Sequence, residues 1–104
     1  MGKSVGIIEV YGLTAAMVAV DAGCKAASVT VETLDKNKPG NADALPVPLI
    51  VAIKFRGSVD AETAAVEAAE EAAKRVSGVI TKHIIANTEE STEKMLKLNA
   101  FDKN

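Results

Sequence analysis

The chain is built twice over, and that repetition limits what it can fold into. Two stretches each read strand, alanine-rich helix, strand, and one polar segment separates them. Val5–Tyr11 is β-branched and half alternating, Gly12 breaks it, residues 13–27 read as a helix, and residues 28–34 alternate as a second strand. After the polar segment, residues 47–56 form a third strand with Leu49, Val51, Ile53 and Phe55 on one face. Gly57 ends it. Ser58 is placed to cap a helix whose first turn carries Asp60 and Glu62. That helix runs to about residue 76, with Lys74 and Arg75 in its last turn and Gly78 beyond as a C-cap. Val79–Ile85 is a fourth strand, residues 88–98 a short final helix, and the last residues are expected to fray. The order β-α-β-loop-β-α-β-α predicts an α+β fold, a ferredoxin-like split β-α-β with a C-terminal helix. At 104 residues the whole chain, 1–104, reads as one domain, with an insertion at about residues 35–46.

The halves echo one another: Thr14-Ala15-Ala16 matches Thr63-Ala64-Ala65, and Lys25 falls opposite Lys74. Duplication and a shared packing demand explain this equally well. The helices nevertheless differ. In the second, Ala61, Ala64, Ala65, Ala68, Ala69, Ala72 and Ala73 keep helical spacing, a smooth face able to lie close on a sheet. Its other side carries Glu67 and the i,i+4 pairs Glu70–Lys74 and Glu71–Arg75. In the first, Leu13, Ala16, Met17, Val20 and Cys24 suit a core face, yet Ala15, Val18, Ala19, Ala22 and Ala26 fill most of the rest. A helix apolar nearly all round asks for cover on more than one side, and two helices on one sheet offer no second layer. Another subunit is the expected cover.

Composition excludes several functions. Aromatic residues make up 3% and the net charge is −2, with cations scattered, so nothing favours nucleic acid. Cys24, the sole cysteine, permits no internal disulfide and fits a reducing compartment; on a helix face it reads as a small packed hydrophobe. No apolar signal core follows Lys3, and residues 44–53 are too short and proline-broken to span a bilayer. One histidine, His83, and one cysteine supply too few ligands for zinc, and nothing in the sequence joins them as a nucleophilic pair. The glutamates of the second helix read as a solvated face, and no glycine-rich phosphate loop is present. Neither a catalytic group nor a cofactor or metal site is expected.

What remains is the separating segment, Asp35-Lys36-Asn37-Lys38-Pro39-Gly40-Asn41-Ala42-Asp43 and on to Pro46. It holds two of the three prolines and the turn chemistry of Pro39-Gly40-Asn41. A connection this long in a compact domain is more often functional than the median connection.

Taken in order, Gly6-Ile7-Ile8-Glu9-Val10-Tyr11-Gly12-Leu13-Thr14-Ala15-Ala16, then Asp21-Ala22-Gly23-Cys24-Lys25-Ala26-Ala27, then Arg56-Gly57-Ser58-Val59, Lys74-Arg75-Val76 and Val79-Ile80-Thr81-Lys82-His83-Ile84-Ile85 resemble the single-domain, hexamer-forming shell proteins of bacterial microcompartments. The match runs from about residue 5 to 85. The resemblance implies a non-catalytic protein of the bacterial cytoplasm that forms homo-hexamers. These tile with other shell proteins around encapsulated enzymes, and central pores pass metabolites. It implies that Lys25 lies at the hexamer edge, that Arg75 serves edge contacts, and that the residues from Asp35 to Asp43 supply the pore loop. That loop is longer than the family's tight Lys-x-Gly-x-Gly type hairpin: Lys36 and Gly40 match from the left, Pro46 to Pro48 from the right. It is similar to loops in shell proteins of compartments built around glycyl-radical enzymes, and its lack of cysteine speaks against the iron–sulfur cluster of some relatives. The alternative reading is a ferredoxin-like oligomeric ligand-binding or regulatory module whose loop clamps a small anion. A small hydrolase using His83 is third.

Overall fold

The computed structural model describes residues 3–98. The elements are β1 (Val5–Tyr11), α1 (Leu13–Ala26), β2 (Thr30–Asn37), β3 (Ile50–Arg56), α2 (Val59–Lys74), β4 (Val79–Ile85) and α3 (Glu90–Leu96). A short 3-10 turn, Ala42–Ala44, lies between β2 and β3. The strands form one antiparallel sheet in the order β2-β3-β1-β4, the ferredoxin-like α+β arrangement that the alternation of elements predicts. The expected fraying of the last residues lies outside the described residues.

Strand alternation divides the sheet into two unlike faces. Ile8, Val10, Val51, Ile53 and Phe55 are fully buried on the face that carries α1 and α2. Ala52, Lys54 and Arg56 alternate with them and point to the other face, where α3 covers only the end nearest Arg56. Ser58 caps α2 as expected, its hydroxyl accepting from the Ala61 N–H at 3.1 Å. Glu62 reaches back, fully buried, to the Gly57 N–H at 2.9 Å.

The core face of α1 differs from the sequence expectation. Ala15, Ala16, Ala19 and Gly23 are buried, whereas Leu13, Met17 and Cys24 are exposed. The reason is helix spacing. A Cβ on Gly23 would stand 2.6 Å from Phe55 Cζ and 3.1 Å from the Ala65 carbonyl oxygen, so α1 meets the sheet and α2 through its smallest residues. Larger side chains are turned outward because they have no room inward. Gly23→Val should therefore destabilise the domain by about 1–3 kcal/mol through overpacking. A denaturant titration at fixed protein concentration checks this; an unchanged midpoint would mean that the helices separate freely.

The second strand also differs. It reaches Asn37, because Asp35, Lys36 and Asn37 pair with Ala52, Val51 and Ile50. Ladder bonding to β3 overrides the poor strand propensity of Asp and Asn. The connection thus spans residues 38–49, and Asp35 to Asn37 belong to the sheet.

Candidate functional site

The connection between β2 and β3 is a compact structure in its own right. Ala42 donates to the Pro39 carbonyl at 3.1 Å, Ala44 to Asn41 at 2.9 Å and Leu45 to Ala42 at 3.1 Å. Ala42 is buried, and Lys38, Gly40, Asn41 and Asp43 are exposed. Its returning limb is fixed at Gly12, which takes φ +91°, donates to the Leu49 carbonyl at 2.8 Å and leaves the space that Val47 fills. The loop candidates Asp35 to Asp43 thus gather at one end of the sheet, with Pro39 half-buried beside the turn. Glu9, Asp35, Lys36, Asn37, Ile50 and Ala52 line a shallow recess of about 110 Å³ there.

Lys25 and Arg75 are not brought together. Both are exposed, but α1 and α2 run antiparallel. Lys25 ends α1 near Gly57, whose added Cβ would touch the Ser28 carbonyl oxygen. Arg75 ends α2 beside the start of β4, where Gly78 accepts from the Tyr11 N–H at the loop end. Lys25 pairs with Asp21 at 2.8 Å, and that hydrogen bond raises its pKa above the ordinary lysine value. Of the two i,i+4 pairs expected on α2, Glu70–Lys74 forms at 3.4 Å; Glu70 also accepts from Lys82 at 2.6 Å, which chiefly lowers its pKa. Glu71 and Arg75 make no ion pair with each other.

Cys24 lies exposed on α1, on the helix side of the sheet. His83 stands in register with Ile7 on the edge strand β4, away from it. No nucleophilic pair is formed. Among the described residues, no group of three or more His, Cys, Asp or Glu side chains is placed to hold a metal ion, and no helix is long and apolar enough to cross a membrane.

A polar cluster that anchors α3 escaped sequence reasoning. Arg56 grips Glu93 with two bonds, at 2.5 and 3.1 Å, and donates to the Ser4 carbonyl at 2.7 Å. Thr88 donates to the same Glu93 carboxylate. The Arg56 and Thr88 hydrogen bonds hold Glu93 below the ordinary carboxylate range. Beside it Lys54, 6% exposed, donates to the Leu96 and Leu98 carbonyls at 3.3 and 2.9 Å, and burial lowers its pKa. Thr33 adds a bond of 2.9 Å to Leu96. Cations at a helix C-terminus are favourably placed. The available signal was the alternation of Lys54 and Arg56 with the apolar residues of β3.

Besides Val59, Met95 and Leu98, exposed apolar side chains lie on two flanks of the sheet. α1 lies over the β2–β3 side and exposes Leu13, Met17 and Val18. On the opposite flank, Val76 and Ile80 are exposed where α2 leads into the unpaired edge of β4. The flanks are unlike each other.

Comparison with known proteins agrees with this architecture. The profile of the BMC domain matches residues 4–88. The chain is 37% identical over 100 residues to carboxysome shell protein CcmK2 of Synechococcus elongatus, covering 94% of this chain and 89% of that protein. It is 34% identical over 94 residues to bacterial microcompartment shell protein PduA of Salmonella typhimurium, covering 90% of each. A microcompartment protein of Desulfitobacterium hafniense superposes with a TM-score of 0.69 at 23% identity, over 93% of this chain and 48% of that one, which shows the shared fold.

Proposed function

The chain belongs to the BMC domain family and is a structural, non-catalytic subunit of a bacterial microcompartment shell; we propose that it acts there as a cyclic hexamer whose loop ends surround a central pore. The observation that carries the ring is the pair of unlike apolar flanks. Surfaces that differ associate head to tail, and a head-to-tail contact closes into a ring when its rotation permits. Leu13, Met17 and Val18 on one flank and Val76 and Ile80 on the other give each subunit one surface of each kind. The same contact supplies the cover that the outward side of α1 lacks.

In this reading the loop end, Asp35 to Asp43, faces the ring axis and sets what crosses. Its compact fold over Gly12 narrows the opening where a tight hairpin would leave it wider. Lys25, at the opposite end, reaches the rim and meets other shell subunits. Arg75, at the loop end, serves contacts nearer the axis, separate from those of Lys25. The assembly resides in the bacterial cytoplasm, and encapsulated enzymes are met only indirectly, through the shell. Native mass spectrometry and negative-stain imaging test the ring: a single species of six chains and ring-shaped particles are expected, and a monomer at micromolar concentration overturns it. Lys25→Ala should diminish extended sheets while leaving rings intact; sheets of unchanged extent would remove Lys25 from the edge.

A further inference from the structure

At the end of the sheet away from the loop, the start of β1 and β2 and the finish of β3 and β4 come together around a cavity of about 560 Å³. Lys3, Ser4, Glu32, Arg56, Gly57 and Val59 are among its lining residues. This is also the end at which α1 finishes with Lys25. The Ser4 hydroxyl donates to the Gly57 carbonyl at 3.1 Å, and Gly57 packs against Ser28 just beyond that helix.

The charge balance of this cavity depends on α3. Arg56 holds Glu93 and, at 3.4 Å, Glu32. Lys3, whose carbonyl accepts from the Thr88 N–H at 2.7 Å, acts through space on the same Glu93 carboxylate. Two cations thus face two carboxylates, and α3 carries one of the carboxylates. Asp60 and Glu62 belong to α2 and are the same whether α3 is docked or not; Glu62 is committed to the Gly57 N–H. Polar bonds rather than packing hold α3 in place. Leu96 is its only buried residue, and Arg56, Lys54 and Thr33 supply the other anchors. An element with so little buried apolar surface is among the first to open locally.

We propose that α3 is a switch on edge-to-edge tiling: docked, it lends Glu93 to the rim cavity and balances its cations; released, it leaves Lys3 and Arg56 facing the same cations of the next ring. This rests on the reading above that places the Lys25 end of the subunit at the rim. Copies of one ring that meet edge to edge do so through the same end, so an excess of one charge there meets itself. Like charges brought together across a contact oppose it, most strongly at low salt. The apolar flanks that suit ring closure lie at the sides of the sheet, so the switch acts on tiling and spares the ring.

The test is sheet growth from purified rings, followed by light scattering and negative-stain imaging, with native mass spectrometry of the same preparations. Glu93→Gln removes the carboxylate and keeps the shape of the side chain. Its rings should stay whole but need about threefold or more protein to form sheets at low salt, and the difference should close at about 0.5 M salt. Adding Lys3→Gln to Glu93→Gln restores the balance of charge and should return the threshold toward that of the wild type. Thr33→Val loosens the far end of α3 without changing any charge, and should raise the threshold in the same direction. Equal thresholds for wild type and Glu93→Gln, or a deficit that neither salt nor Lys3→Gln relieves, overturn the switch. So does a Thr33→Val protein in which amide exchange across Glu90–Leu96 quickens while its sheets form as before. Sheets that survive Lys25→Ala yet depend on Glu93 support the switch and remove only Lys25 from the edge. Wild-type rings that form no sheets overturn the switch and leave the ring standing. A preparation that contains no ring overturns both.

Discussion

Val18→Asp should convert the ring into monomers without disturbing the fold of the subunit. Val18 is 40% exposed in the single chain, and its neighbours Leu13 and Met17 are 41% and 50% exposed, so a carboxylate there is solvated as long as the subunit is alone. In the ring the same carboxylate is carried into an apolar contact and loses its water. Burying an unpaired charge costs at least about 2 kcal/mol per contact, roughly thirtyfold in each association constant. Ring closure needs every contact to hold, so the penalty recurs around the ring. Native mass spectrometry should show monomers where the wild type shows a ring, while circular dichroism keeps its helix and strand signal. Val18→Ala is the control: it removes apolar area but adds no charge, and should leave rings in place. Rings that survive Val18→Asp would mean that this flank of α1 faces solvent and that the subunits meet elsewhere.

That contact was partly legible in the sequence. A first helix apolar nearly all round signalled a missing cover, and the structure leaves its bulky residues exposed. Which residues they are was not legible, because periodicity marks the faces of a helix but not how closely its neighbour approaches. Gly23 against Phe55 decides that, and the decision turns Leu13, Met17 and Cys24 outward. Strand order and helix order followed from alternation and from the glycines at residues 12, 57 and 78, since local breaks and hydrophobic period are sequence properties. The end of β2 did not: Asp35-Lys36-Asn37 falls in the polar separating segment, and only pairing with Ile50, Val51 and Ala52 makes it strand. Register is a property of two segments at once, so the extent of β2 appears only when the sheet is assembled.

The anchor of α3 was invisible for the same reason, and it has the clearest pH dependence. Glu93 is bound by Arg56 from β3, far away in the sequence, and by Thr88, which stands ahead of the helix and outside its i,i+4 spacing. Its folded pKa lies below the ordinary value of 4.5. A carboxylate depressed in this way contributes stability that is complete above 4.5 and is lost as pH falls through the lower folded value. Acidification below about pH 4.5 should therefore loosen α3 while the sheet and the α1–α2 layer persist. The side chains of Arg56 and Glu93 are each only 16% exposed, so water compensates little for a lost partner. Glu93→Gln should cost about 1–3 kcal/mol locally, seen as roughly tenfold or faster amide exchange across Glu90–Leu96 at neutral pH. The variant should also flatten the acid response of α3. Glu70 is depressed by Lys82 and titrates in the same direction, but it sits on α2 and is common to both proteins, so the difference between them isolates Glu93. Loosening α3 also frees Lys54 from the Leu96 and Leu98 carbonyls, so two polar anchors of the helix are lost together. Exchange rates in α3 that are equal in the two proteins and indifferent to acid would show that Leu96 packing alone holds the helix.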